Sequence, residues 1–133
     1  MRIFVDTSGF LSVLDRDDAY HAASKKAWIN LLSSDAELLT TNYVLLETFA
    51  LVQSRLGLAA TRLFHDDIVP VLLIEWLTKS QHDIATEILL SVSRRKLSLV
   101  DCASFATMRA LGLTTAFTLD KHFKEQGFTC IPA

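Results

Sequence analysis

Apolar residues in this chain follow two rhythms. Short runs bounded by polar residues predict β-strands at 2–6 (RIFVD), 37–40 (ELLT), 71–76 (VLLIEW), 114–119 (TTAFTL) and 128–131 (FTCI). Between them the segments 18–33, 42–56, 58–67, 79–95 and 99–111 carry apolar residues at helical spacing, as at Ile84, Ile88 and Val92. Strand and helix taking turns predicts an α/β fold: a three-layer α/β/α sandwich whose central, mostly parallel sheet of four to five strands is covered on both faces. In such sheets ligands bind beyond the carboxyl ends of the strands, near the point where strand order reverses. Four glycines and two prolines punctuate the chain, without repeat, low-complexity tract or linker, so 1–133 is expected to be a single domain.

Four acids interrupt this pattern. Asp6 ends the run IFVD, Glu47 breaks YVLLETFALV, Asp101 lies in LSLVDCASFA and Asp120 follows TTAFTL. An ionised carboxylate buried without a partner is costly, so such a group protonates, pairs or binds a metal. Each has an ordinary explanation. Asp6 precedes a helix expected in TSGFLSVLD and is placed to cap it; Ser8 can satisfy a helix-start amide or steady a carboxylate and a bound phosphate. Ser98 and Asp101 have the spacing of a capping box, and Asp120 can cap the short turn DKHFKEQG. Glu47 is harder to dismiss, because its helical neighbours Tyr43, Val44, Ala50 and Leu51 include no cation. A buried hydrogen bond to backbone or Tyr is its ordinary alternative, and the ordinary explanations together require four separate coincidences, whereas one metal site accounts for the whole set.

Composition narrows the choice. Half the residues are hydrophobic, enough for a core without disulfide or metal staples. Cys102 and Cys130 have no metal-binding or redox spacing, the N-terminus lacks a signal-like segment, and no apolar run approaches the roughly 20 residues of a membrane span. A reduced, cytoplasmic setting without a membrane is expected. The net charge of −2 argues against a strongly basic nucleic-acid binder. Setting the four embedded acids aside leaves 11 of the 15 acids against 13 Lys and Arg, a surface that tolerates a polyanion. His21, His65, His82 and His122 show no zinc spacing, Arg94, Arg95 and Lys96 read as a helix C-terminal cluster, and Trp28 and Trp76 read as core.

The segments FVDTS, LLETFALV, LVDCASFATMRALG and AFTLDKHF, in this order and with Thr118 to Phe123 as the last signature, resemble the PIN-domain family and within it the small VapC-like ribonuclease toxins. The resemblance spans the chain and keeps every acidic position. It implies a PIN-like sandwich and a metal-dependent endoribonuclease, the toxin of a toxin–antitoxin pair, hydrolysing RNA. It implies Mg²⁺ or Mn²⁺ held by Asp6 and Asp101 as principal ligands. Glu47 and Asp120 complete the catalytic and metal-binding acids, and Ser8 and Thr118 serve as supporting hydroxyls. It further implies an antitoxin whose segment covers the acidic pocket, and a toxin homodimer. The apolar content of 18–33 and 42–56 is compatible with a groove for a partner helix. The rival readings are a non-catalytic metal- or RNA-binding module on the same fold, and a phosphohydrolase with Asp6 as nucleophile, for which FVDTSG lacks a second Asp two residues on.

Overall fold

The computed structural model of the chain describes residues 1–91 and 97–133. Its elements run β1 (Arg2–Val5), α1 (Thr7–Leu14), α2 (His21–Leu32), β2 (Glu37–Thr41), α3 (Asn42–Leu56) and α4 (Leu58–Leu63). A π-helical turn (Phe64–Ile68) and a 3₁₀ turn (Val69–Val71) lead into β3 (Leu72–Glu75), α5 (Lys79–Ser91), α6 (Leu99–Ala110), β4 (Thr115–Phe117), α7 (Lys121–Glu125) and β5 (Thr129–Ile131). The strands form one sheet in the order β3-β2-β1-β4-β5, with every pairing parallel. The α/β class expected from the apolar rhythm is therefore observed, with five strands. Strand order reverses at β1, whose neighbours are β2 on one side and β4 on the other.

Register decides which side chains meet. Phe4 pairs with Ala116 and Val5 with Phe117, so Phe4 and Phe117 point to opposite faces of the sheet. On one face Phe117 meets Trp28, Trp28 meets Phe10, and Phe10 meets Phe64, all edge to face, which seats α1, α2 and the π turn. On the other, Phe4, Phe105, Phe123 and Phe128 join β1 to α6, α7 and the approach to β5. These rings are all buried.

Gly9 sets how closely α1 lies on the sheet. A Cβ there would fall 2.5 Å from the carbonyl oxygen of Phe117, so only glycine allows this approach. Asp6 N donates to that same carbonyl at 3.1 Å, tying the end of β1 to the end of β4.

Three sequence expectations need amendment. The helix expected from residue 18 begins at His21, because Asp15 and Asp18 accept from the amides of Asp17 and Tyr20 and hold the preceding segment as turns. The helix expected at 58–67 changes to the π turn at Phe64, which keeps both Phe64 and Ile68 buried. Trp76 is not core: it is 68% exposed, since it follows β3 at the sheet's edge where no layer covers it. Val92 and the basic run Arg94, Arg95 and Lys96 lie outside the described residues. No helix among the described residues is long and apolar enough to cross a membrane.

Candidate active site

The carboxyl ends of β1 and β4 open into a cleft of about 240 Å³ lined by Asp6, Glu47, Asp101 and Asp120, together with Ser8 and Ser98. Acids spread over 115 positions of sequence thus share one surface at the switch point of the sheet. Leu11 and Leu51 form its apolar walls.

Three of the four occupy helix starts, and they use their carboxylates differently. Asp101 completes a capping box on α6, accepting from Ser98 N at 3.0 Å while Ser98 Oγ accepts from Asp101 N at 3.1 Å. Asp120 caps α7 by accepting from His122 N at 2.9 Å. Both therefore serve the fold and line the cleft. Asp6 stands at the corresponding position before α1 but makes no side-chain cap. Its Oδ2 instead accepts from Ser8 Oγ at 2.9 Å and from Thr118 Oγ1 at 3.1 Å.

Those two hydroxyls are themselves fixed by main chain. Leu119 N donates to Ser8 Oγ at 2.9 Å, and Asp120 N donates to Thr118 Oγ1 at 3.0 Å. Each hydroxyl has one proton to give. With both aimed at Asp6, the 3.0 Å contact between Ser8 Oγ and Thr118 Oγ1 carries none. The result is a carboxylate 4% exposed, oriented by groups from α1 and the segment after β4.

Burial raises Asp6 from 3.8 to about 6; the Ser8 hydrogen bond opposes this, the charge of Asp101 adds to it, the Thr7 amide opposes it, and Asp120 adds to it. Asp101 is also raised, first by burial and then by Asp120, against the bonds from Ser98. The pocket therefore resists its own full ionisation, a strain that a cation would relieve.

Glu47 reaches the cleft from α3 and is half-buried, without an ion pair or hydrogen bond among the described residues. Its neighbour Thr48 donates to Thr7 Oγ1 at 3.1 Å, pinning α3 to α1 one residue after Asp6. Sequence reasoning did not pick out this link, nor Thr40, which donates to Val5 O at 2.7 Å beneath the site. The available signal was the clustering of hydroxyl residues beside the acids, Thr7 and Ser8 after Asp6 and Thr48 after Glu47.

All six residues singled out from the sequence thus converge on one cleft or on its Asp6 network. They do not form a closed ligand cage: among the described residues no three His, Cys, Asp or Glu side chains gather as a ready-made metal site. The donor set still fits a hard cation such as Mg²⁺, which binds through one or two carboxylates and keeps much of its water.

Residues 3–128 match the PIN domain family. This chain is a member of the PIN-domain family. It is 35% identical over 127 residues to the 23S rRNA-specific endonuclease VapC20 of Mycobacterium tuberculosis, covering 95% of each chain. The crystal structure of M. tuberculosis VapC20, a sarcin–ricin loop cleaving toxin, superposes with a TM-score of 0.84 at 33% identity, covering 96% of both chains. FitAcB from Neisseria gonorrhoeae shares the fold at a TM-score of 0.69 and 16% identity, over 98% of this chain and 96% of that one. The VapC-like placement made from the sequence agrees with these findings.

Proposed function

We propose that this PIN domain is a divalent-metal-dependent endoribonuclease of the VapC kind, the toxin of a toxin–antitoxin pair, and that it hydrolyses a phosphodiester bond in a loop of 23S ribosomal RNA. The observation that carries the reading is the carboxylate of Asp6, which is buried, freed from capping and held by two hydroxyls in a cleft with three further acids. The choice of 23S RNA rests on the 35% identity to a 23S rRNA-specific endonuclease.

Asp6 and Asp101 are the residues to hold Mg²⁺ or Mn²⁺, with Glu47 and Asp120 completing the acidic set. When bound, the cation supplies charge neutralisation at the phosphodiester and makes a nearby water more acidic. Ser8 and Thr118 keep Asp6 in one rotamer, so that its oxygens are positioned before substrate arrives. Glu47, which has no hydrogen-bond or ion-pair partner among the described residues, orients the attacking water and accepts its proton.

The toxin reading brings an antitoxin and a homodimer with it. A groove of about 510 Å³ between α1, α2 and α4, apolar at Val13, Leu14, Leu63 and Ile68 and basic at Arg16 and Lys25, suits an amphipathic acidic segment. It involves the helix expected at 18–33, with α4 in place of the helix at 42–56. The RNA target implies action in the cytoplasm.

The test is cleavage of ribosomal RNA by purified protein with Mg²⁺ or Mn²⁺, beside EDTA and an Asp6→Asn variant. Metal-dependent cutting that the variant loses is expected. Folded, antitoxin-free protein that leaves RNA intact with both metals favours the non-catalytic binding module.

A further inference from the structure

The acidic cleft adjoins two grooves, one through Asp120 and the other through Ser8 and Leu11. One, about 200 Å³, is lined by Thr118, Asp120, Lys121, Lys124 and Pro132; the other, about 290 Å³, by Ser8, Asp15, Asp18 and Arg55; Tyr20 and Leu119 belong to both. Charge separates them. Lys121 and Lys124 outweigh Asp120 in the first, whereas Asp15 and Asp18 outweigh Arg55 in the second. Neither lysine is engaged in an ion pair among the described residues. A phosphodiester chain leaving the cleft is therefore drawn along the first groove and repelled from the second.

Tyr20 is 59% exposed, yet its backbone is anchored. Its amide donates to Asp18 Oδ1 at 2.8 Å and its carbonyl accepts from Ser24 N at 2.9 Å. The ring stacks on no other ring among the described residues. A large, exposed aromatic face on an anchored backbone, beside two lysines without an ion pair among the described residues, is an arrangement that receives an unstacked base and its flanking phosphates.

We propose that Tyr20, Lys121 and Lys124 form the substrate track of this domain: Tyr20 stacks on an unpaired base beside the scissile phosphate, and the two lysines hold phosphates on that side. This rests on the ribonuclease reading and names positioning residues for it. Looped or single-stranded RNA is the occupant, because a base within a duplex offers no free face.

The probe is a synthetic RNA hairpin carrying the sarcin–ricin loop, with binding to Asp6→Asn protein followed by fluorescence anisotropy across a salt series and wild-type cleavage measured in parallel. Tyr20→Ala weakens binding about ten- to a hundredfold, and Tyr20→Phe restores it to within about twofold, because stacking needs the ring and not the hydroxyl. Lys121→Ala with Lys124→Ala lowers the slope of log affinity against log salt by about 1.4, the share of two phosphate contacts on a single strand. In otherwise wild-type protein these substitutions raise KM more than they lower kcat, and melting temperatures stay unchanged. If wild-type protein cuts the hairpin while the substitutions alter neither affinity, salt slope nor KM, the track is wrong and the ribonuclease reading stands. Binding with these dependences but no cutting by wild-type protein supports the track and removes the ribonuclease reading. Absence of any RNA binding overturns both.

Discussion

Thr118 Oγ1 donates to Asp6 Oδ2 at 3.1 Å across a separation of 112 residues. The same oxygen accepts from Asp120 N at 3.0 Å, so one hydroxyl couples the acid after β1 to the acid after β4. In a parallel sheet whose order reverses between these strands, this hydroxyl bridges the two loops at the switch point.

Replacing Thr118 with valine keeps the shape and removes the bridge. The Asp120 amide loses its acceptor and Asp6 loses a donor, so the variant should be destabilised by about 1–3 kcal/mol. Losing a hydrogen bond to its charged form raises Asp6 further, which moves the acid limb of the pH–rate profile upward. Urea melts and initial cleavage rates from pH 5 to 8 read both effects.

The rise of Asp6 from 3.8 to about 6 makes stability depend on pH with a definite sign. The native state holds this proton more tightly than the unfolded chain. Its contribution is therefore fully present below pH 3.8 and is lost as pH rises through about 6. At roughly 1.4 kcal/mol per pH unit the span amounts to about 3 kcal/mol. In EDTA, the difference in unfolding free energy between Asp6→Asn and wild type should grow in favour of the variant between pH 4 and about 6.5. Added Mg²⁺ at pH 7.5 should stabilise wild type and not the variant. Parallel pH profiles for the two proteins would show that Asp6 carries no such strain.

Much of this was legible in the chain. The β1 run IFV and the acid closing it, the helical spacing from Asn42 to Leu56, and the acids at the ends of strands led to the observed sheet and to four acids that share one cleft. Legibility failed where two roles share one residue. Asp101 and Asp120 look like caps because they are caps, and only the fold shows that they also line the cleft of Asp6. Trp76 misled because a large apolar residue carries no sign of whether a layer lies above it; that depends on β3 being the edge strand. The bonds of Thr40 and Thr48 were hidden for a similar reason, since their partners Val5 and Thr7 lie on other elements, and only the place of Thr48 beside Glu47 hinted at one of them.

Capping and site duty can be separated at α6. Ser98→Ala removes half the capping box and should lower stability by about 1 kcal/mol. Asp101→Asn leaves Ser98 in place and removes one of the cleft's charges, so its loss of cleavage should far exceed that of Ser98→Ala while its loss of stability does not. Equal activity losses scaling with stability would mean that Asp101 acts only as a cap. Thermal melts and cleavage rates on the same samples distinguish the two.

Gly9→Ala tests how tightly the Asp6 network depends on the approach of α1 to β4. The added methyl meets Phe117 O at 2.5 Å, so α1 must move. Overpacking of this kind costs about 1–3 kcal/mol, which outweighs the roughly 1 kcal/mol gained in helix propensity. Because Ser8 moves with the helix, cleavage should fall even at temperatures where the variant is fully folded. A variant with wild-type melting temperature and rate would show that the helix accommodates the methyl elsewhere.

Glu47→Gln separates a chemical role from a structural one most sharply. Glu47 lines the cleft without a partner among the described residues, so the amide replaces it with little loss of contact and removes one charge from an already repulsive acid cluster. Stability should be unchanged or slightly higher. Cleavage should fall by about 100-fold or more, as expected for losing a group that handles the proton of the attacking water. Single-turnover rates with saturating Mg²⁺ keep product release out of the measurement, and a urea melt verifies the fold. Full activity in a variant of unchanged stability would remove Glu47 from the chemistry and leave Asp6, Asp101 and Asp120 to carry it.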